Sequence, residues 1–97
     1  MAKGYWIGRI DVQDLDTYKN YIAANGPAFA AYDARFLVRG GTFEAVEGAP
    51  RSRNVVIEFP SYQAALDCYH SEAYQAAKAH RDPVSTGELI IIEGYEG

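Results

Sequence analysis

Only one cysteine, Cys68, occurs among the 97 residues of the chain. A single thiol excludes an intramolecular disulfide and a zinc site made of several thiolates. Because Leu66 and Tyr69 lie close to it, Cys68 is predicted to be a small buried hydrophobic residue and not a nucleophile. The two histidines, His70 and His80, are too far apart in sequence to bind one metal ion from a single helical turn. We therefore predict no metal site.

The chain also lacks long apolar runs, an excess of basic residues and a glycine-rich phosphate loop. No stretch approaches the roughly 20 apolar residues that span a bilayer, and residues 1–6 have no signal-peptide character. The formal net charge of −4 argues against nucleic acid or an anionic membrane as partner, since both attract Lys and Arg. Without a phosphate loop, nucleotide-driven chemistry is disfavoured, and no cofactor is predicted. The default expectation is a cytoplasmic protein.

The overall composition is that of an ordinary globular domain, with 48% hydrophobic and 23% charged residues. A chain of 97 residues can bury one core of modest size, and a second independent core is not expected. We predict a single domain that covers residues 1–97.

The first half of the chain predicts a strand, a helix and a second strand. Residues 4–12 are rich in aromatic and β-branched residues, which favours a strand. Asp14 is a suitable N-cap for a helix with apolar residues at helical spacing. This helix is predicted to stop or kink at residues 25–27, Asn-Gly-Pro, because Gly is costly inside a helix and Pro cannot donate a backbone hydrogen bond. Residues 35–39 are predicted to form the second strand.

The Gly40-Gly41 pair that follows has two interpretations. It is either a tight hairpin turn or a bulge that bends one long strand, which would then continue through residues 42–47. We favour the bulge, because residues 48–53 are the more convincing turn into the next strand. That third strand is predicted at residues 54–59.

The second half of the chain again predicts a helix followed by a strand. Ser61 caps the helix, and Ser71 is a second N-cap that divides it into two pieces. Residues 86–93 form the last strand, which its consecutive apolar residues predict to be central or at least buried on both faces. The order β-α-β-β-α-β is that of the ferredoxin-like α+β fold, an antiparallel four-stranded sheet with two helices on one face.

The strands carry more apolar residues than one covered face requires. Residues 36–38, 55–57 and 89–92 are apolar at consecutive positions, although an open face should carry polar residues at alternate positions. Monomers rarely expose an apolar patch of several hundred Å². We therefore predict a homodimer in which two sheets pair face to face.

Six short motifs are recognisable together: Gly-Tyr-Trp at 4–6, Phe-Leu-Val-Arg-Gly-Gly at 36–41, Glu-Gly at 47–48, Val-Val-Ile-Glu-Phe-Pro-Ser at 55–61, Tyr-His-Ser-Glu-Ala-Tyr-Gln at 69–75 and Glu-Gly-Tyr at 93–95. Over essentially the whole chain they resemble the bacterial domain-of-unknown-function family DUF1330. The resemblance implies the dimeric α+β barrel superfamily, in which two ferredoxin-like sheets close face to face. That superfamily includes cofactor-independent monooxygenases, lactone isomerases, haem-using peroxidases and dismutases, and stress proteins, so the fold does not determine the function. The family supplies no agreed catalytic residues.

Two charges interrupt the apolar strands. Arg39 and Glu58 are expected on neighbouring antiparallel strands, where unpaired charges would be costly. One interpretation is a structural ion pair, either within the chain or with the dimer mate. The other is a ligand site, in which Glu58 orients Arg39 toward an anionic group.

Eight tyrosines are many for a chain of this length, and most are expected to pack at the rim of the core. Tyr18 on the first helix, with Tyr69 and Tyr74 on the second, would face the sheet and could line a cavity for a flat aromatic ligand. His70 lies at the break in the second helix, where a general base could act, although a position without a catalytic role is the simpler interpretation.

The leading hypothesis is a protein that binds a small aromatic or carboxylate-bearing metabolite between sheet and helices. Any catalysis would be cofactor-independent, of a monooxygenase- or isomerase-like kind. The predicted ligand-binding residues are Arg39, Glu58, Tyr18 and Tyr69, and the predicted catalytic residues, which would move a proton, are His70 and Tyr74. The second hypothesis is a non-catalytic, structural or stress-related dimer in which Arg39 and Glu58 only lock the interface.

Overall fold

The computed structural model describes residues 2–97. Along the chain the elements are β1 Gly4–Val12, α1 Leu15–Ala31, β2 Arg35–Arg39, β3 Arg53–Phe59, α2 Tyr62–His70, α3 Glu72–Arg81, a 3₁₀ turn Asp82–Val84 and β4 Ser85–Glu93. The sheet order is β2-β3-β1-β4, and each neighbouring pair of strands is antiparallel. This is the ferredoxin-like arrangement, so the predicted fold class is confirmed. No helix formed by residues 2–97 combines the length and the apolar character needed to cross a membrane.

The second helical region is divided into α2 and α3, as predicted from its two serine caps. Ser61 Oγ accepts a hydrogen bond from the backbone N–H of Ala64 at 3.0 Å, which starts α2. Ser71 Oγ accepts from the N–H of Tyr74 at 3.2 Å and donates to the carbonyl of Cys68 at 2.7 Å. Ser71 therefore ends one helix and begins the next.

Helix α1 is continuous, so the prediction that it stops or kinks at residues 25–27 is wrong. Gly26 and Pro27 lie on the exposed side of the helix. Pro27 cannot donate to the carbonyl of Ala23, but Ala23 is exposed as well, so water can satisfy that carbonyl. The opposite side buries Phe29 and its neighbours against the sheet, and this packing offsets the cost of the helix-breaking pair.

Strand β2 ends at Arg39, and residues 40–52 form an irregular loop. The favoured bulge at Gly40-Gly41 and the continued strand at 42–47 are therefore wrong, and the hairpin alternative is not formed either. Gly40 has a φ of +67°, a left-handed backbone conformation that glycine adopts without steric cost. The register shift in the β2–β3 pairing lies earlier in the chain, between Phe36 and Val38.

Ion pairs and hydrogen bonds connect the loop at residues 40–52 to strands β1 and β4. Arg51 Nη1 donates to a carboxylate oxygen of Asp11 on β1 at 2.8 Å, and the same guanidinium pairs with Glu88 on β4. Asp11 also accepts the backbone N–H of Ser52 at 2.9 Å. The hydrogen bond from Ser52, followed by the contacts with Arg51, lowers the pKa of Asp11 below its ordinary value.

The side of the sheet that faces the helices holds the core. Its largest fully buried side chains are Trp6, Tyr18, Tyr74, Phe59 and Cys68. Trp6 Nε1 donates to the carbonyl of Ala65 on α2 at 2.9 Å, and the indole packs edge-on against the rings of Phe29 and Tyr74. Cys68 is buried, as predicted, and burial raises the pKa of its thiol to about 12.

The other side of the sheet, called the open face here, is apolar at its centre. It carries Tyr5 and Ile7 of β1, Val38 of β2, Val56 of β3, and Ile90 and Ile92 of β4. Ile90 and Ile92 are 52% and 46% exposed, and β4 is an edge strand. The prediction that β4 is central or buried on both faces is therefore wrong for the single chain.

Candidate functional site

A cavity of about 770 Å³ lies between the helix-facing side of the sheet and the helical layer. Its lining combines aromatic residues with charged ones: Phe36, Tyr21 and Tyr69 on one hand, and Arg39, Arg53, Lys78 and Arg81 on the other. Trp6 and Tyr18 border it as well but are almost fully buried. Its volume is within the range typical of small-molecule sites.

Two guanidinium groups line the part of this cavity next to β2 and β3. Arg39 Cζ lies 4.2 Å from the ring centroid of Phe36, and Arg53 Cζ lies 5.8 Å from that of Tyr18. Neither arginine has a carboxylate partner among residues 2–97. The Nε of Arg53 is buried and makes no hydrogen bond within the described residues. Arg53 therefore brings to the cavity wall a positive charge without a carboxylate partner among residues 2–97.

Arg53 faces the cavity because of its position in β3. It begins the strand with the same parity as Val55 and Ile57, whose side chains are buried toward the helices. Gly40, at the end of β2, lies beside its guanidinium and offers no side chain of its own. Alternation along β3 therefore directs Arg53 toward the helices, and the missing side chain at Gly40 leaves room for its guanidinium.

Arg39 and Glu58 lie on opposite faces of the sheet, so the predicted ion pair does not form within the chain. Arg39 is opposite Val55 on the helix-facing side, whereas Glu58 is opposite Tyr5 on the open face. Because of the register shift within β2, Arg39 lies on the opposite face of the sheet from the one that simple alternation would give it. Glu58 instead accepts from Lys3 Nζ at 3.0 Å and from the hydroxyl of Tyr5 at 3.5 Å. Glu58 does not line the cavity, and the prediction that it orients Arg39 is wrong.

Tyr74 was predicted to move a proton, but its side chain is buried behind Tyr21. The two hydroxyl oxygens are 2.8 Å apart, and Arg81 Nη2 donates to the hydroxyl of Tyr74 at 3.3 Å. Burial raises the pKa of Tyr74 far above its ordinary value, which disfavours loss of its proton. Tyr21 and Arg81 line the cavity and Tyr74 does not, so the placement of Tyr74 contradicts a direct role at the ligand.

Tyr69 and His70 lie at the C-terminal end of α2, where they line the cavity as predicted for residues that contact a ligand. The ring of Tyr69 packs edge-on against Trp6, with centroids 5.9 Å apart, and against His70 at 5.2 Å. The imidazole of His70 is exposed and makes no hydrogen bond to residues 2–97. Its role as a general base stays a prediction.

Several residues of the cavity were not predicted. Asn25 was interpreted as part of a helix stop, Arg53 as part of a turn, and Arg81 as a favourable charge at a helix end. The sequence contains a usable signal for Arg53, which shares its parity with the apolar residues of the following strand. It contains one for Asn25 as well, since the residue continues the apolar face of the helix at the spacing of Tyr18 and Ile22.

The charges around the cavity favour an anion over a cation. Lys78 and Arg81 share the carboxylate of Asp82, at 2.8 and 3.4 Å, while Arg39 and Arg53 have no carboxylate. Within residues 2–97, no three His, Cys, Asp or Glu side chains are arranged to hold a metal ion. The arrangement is suited to an aromatic ligand with a negatively charged group.

A ferredoxin-like sheet with a helical layer on one face and a cavity between them defines the structural class of the chain. The chain belongs to the family described as Domain of unknown function (DUF1330), whose model matches residues 3–95. The family predicted from the short motifs is thus confirmed. No curated protein matches the sequence.

Solved structures that resemble the chain share its fold at low sequence identity. The RPA0582 protein of unknown function from Rhodopseudomonas palustris is 15% identical, with a TM-score of 0.79 over 99% of this chain and 85% of that one. SnoaB, a cofactor-independent oxygenase from Streptomyces nogalater, is 13% identical, with a TM-score of 0.68 over 100% and 97%. A dimeric ferredoxin-like protein of unknown function from Thermobifida fusca is 15% identical, with a TM-score of 0.61 over 95% and 89%. At these identities the likeness shows the fold alone.

Proposed function

We propose that the cavity binds a small aromatic metabolite that carries a carboxylate, with Arg53 as its principal anion-binding group. The observation that carries the proposal is the guanidinium of Arg53, which lines the cavity and has no carboxylate partner among residues 2–97. A carboxylate of the ligand would supply that partner. Arginine presents a planar set of donors that matches a carboxylate, so one guanidinium can bind both of its oxygens.

The aromatic part of the ligand would pack between sheet and helices. Phe36 on the sheet side and Tyr69 on the helix side are partly exposed and offer ring surfaces, whereas Trp6 and Tyr18 border the cavity but are almost fully buried. Aromatic rings favour offset-stacked and edge-to-face contacts with one another. Arg39, exposed and stacked on Phe36, would add positive charge at the rim and attract the anion as it approaches.

Catalysis within this proposal would proceed without a cofactor. An isomerase-like or oxygenase-like reaction needs a group that takes a proton from the ligand. His70 is the group we propose for this step, because it lines the cavity and its imidazole is free of hydrogen bonds to residues 2–97. The fold shared with SnoaB, described as a cofactor-independent oxygenase, supports this type of chemistry as a candidate.

The binding proposal is tested by thermal shift with a panel of aromatic carboxylates, followed by calorimetry with cinnamate and its neutral amide, cinnamamide. We expect cinnamate to bind more tightly than cinnamamide, and Arg53→Met to weaken cinnamate binding by about tenfold or more, as for a lost charged hydrogen bond. Lys19→Met is the matched control, because Lys19 is exposed on α1 and its nearest carboxylate is 3.9 Å away in Asp16. Unchanged cinnamate affinity in a folded Arg53→Met variant would disprove the role of Arg53.

A second candidate function is that of a non-catalytic dimeric module, and the open face favours it. Ile90 and Ile92 leave an apolar surface for which a second copy is the simplest cover, and the Thermobifida fusca neighbour is described as dimeric. Of the two charges expected at the interface, only Glu58 lies on the open face. A module of this kind would be stabilised by protein concentration and by no member of the aromatic panel.

A further inference from the structure

Asn25 is a polar residue where an apolar one would pack more easily. It lies on the buried side of α1 with only 4% of its surface exposed, and it lines the cavity. Its side-chain amide makes no hydrogen bond to residues 2–97. Its polar atoms are not among the fully buried unpaired atoms of residues 2–97, so they open to the cavity, where a ligand group could pair with them.

The position of Asn25 is distinct from that of Arg53. Tyr18, beside the Arg53 guanidinium, lies seven positions before Asn25 on the same side of the helix. Seven residues correspond to about two turns, or roughly 10 Å along the helix axis. The cavity therefore offers an anion-binding group near one end of this wall and an amide near the other.

Along α1, no residue within one turn of Asn25 offers another free polar group to the cavity. Tyr21 lies one turn before it, but the Tyr21 hydroxyl is already paired with that of Tyr74 at 2.8 Å. Phe29 lies one turn after it and is apolar. An amide carries no charge and can both donate and accept, so its natural partner is a hydroxyl or carbonyl group.

We propose that Asn25 determines ligand specificity, and that the ligand is bifunctional, with a carboxylate at Arg53 and a hydroxyl or carbonyl group at Asn25. This inference rests on the proposed function and narrows it to hydroxylated or oxo-substituted aromatic acids about two helical turns long. Ligands without the second polar group would leave the amide unpaired and would bind less well.

The test compares 4-hydroxycinnamate with cinnamate, which lacks only the hydroxyl at the end distant from the carboxylate. Calorimetry should show that the protein binds 4-hydroxycinnamate about tenfold more tightly or better. Asn25→Leu should abolish this preference while retaining cinnamate binding. Asn20→Leu, the same substitution at an exposed position of α1, should leave the preference unchanged.

A second measurement separates a ligand-binding role from a packing defect. Asn25→Leu removes no hydrogen bond within residues 2–97, so the melting temperature of the free protein should not fall, whereas the preference for 4-hydroxycinnamate should disappear. If Asn25→Leu does not fold, the side-chain amide resonances of Asn25 in the unmodified protein provide the readout. At saturation they should shift further with 4-hydroxycinnamate than with cinnamate, which makes no hydrogen bond to the amide, and equal shifts would overturn the role of Asn25.

The outcomes distinguish this inference from the proposal on which it rests. Equal affinity for both acids, with binding that still depends on Arg53, overturns the role of Asn25 and leaves the proposed function intact. A preference that survives in Asn25→Leu overturns it as well. If neither acid shows Arg53-dependent binding, the proposed function fails, and the inference fails with it.

Discussion

Arg53 occupies the space that Gly40 leaves open, since a Cβ atom at Gly40 would lie 2.9 Å from the Nη1 of Arg53. The two residues lie at the two ends of the loop that connects β2 and β3. The backbone N–H of Gly40 donates to the carbonyl of Asn54 at 2.9 Å. The end of β2 thereby fixes the place of the guanidinium that we assign to anion binding. The Arg-Gly-Gly motif thus contributes to the cavity through its glycine as well as through Arg39.

Gly40→Ala should weaken both the fold and ligand binding. The left-handed φ of +67° disfavours any L-residue, so the free energy of unfolding should fall by about 1 kcal/mol or more. The added methyl group should also displace the guanidinium of Arg53 and reduce the affinity for cinnamate. Urea unfolding and calorimetry measure the two effects. In the control Gly41→Ala, a Cβ meets no atom within 4 Å, and both values should stay close to those of the unmodified protein.

The parts of the fold that could be predicted depend on local signals. Ser61 and Ser71 accept hydrogen bonds from backbone N–H groups three residues ahead, and such caps can be predicted from the sequence. The extent of β1 follows in the same way from its β-branched and aromatic residues. The continuity of α1 does not, because it depends on which side of the helix Pro27 occupies and on the packing of the opposite side.

The candidate site was harder to predict, for a geometric reason. The face on which Arg39 lies depends on a register shift of one residue in β2, and alternation along a strand cannot show where such a shift occurs. The shift places Arg39 on the helix-facing side of the sheet, together with Arg53, whereas Glu58 lies on the open face. Tyr74 faces the core as expected, but its burial behind Tyr21 depends on how α1 packs against α3.

Ile90→Glu should convert a dimer to a monomer. Ile90 lies opposite Ile7 at the centre of the open face, so a carboxylate there would be buried without a partner if two sheets pair face to face. Light scattering should give about twice the 10.7 kDa mass of one chain for the unmodified protein, and the mass of one chain for the variant. Leu15→Glu, at an exposed apolar position at the start of α1, should leave the dimer intact. A monomeric unmodified protein at micromolar concentration would contradict the dimer.

Tyr74→Phe should lower stability without changing ligand binding. The substitution removes the hydroxyl that contacts the Tyr21 hydroxyl and the Arg81 guanidinium, at an expected cost of about 1 kcal/mol in the free energy of unfolding. Cinnamate affinity should be unchanged, because Tyr74 does not line the cavity. Tyr62→Phe, at an exposed position of α2, should affect neither value. Reduced affinity in a Tyr74→Phe variant of full stability would restore Tyr74 as a ligand-binding residue.

The stability of the protein should decrease as the pH rises above about 9, and Cys68 should cause the first part of this decrease. Burial raises the pKa of its thiol from an ordinary value of 9.0 to about 12, so the folded state retains a proton that the unfolded state releases. The stabilisation is fully present below pH 9.0 and is lost progressively as the pH approaches 12. Tyr74, whose pKa is also raised by burial, adds to the loss only above its ordinary value of 10.0. The free energy of unfolding, measured with urea, should therefore fall less between pH 8 and pH 10 for Cys68→Ala than for the unmodified protein. An equal fall in both proteins would show that the thiol is not held neutral by burial.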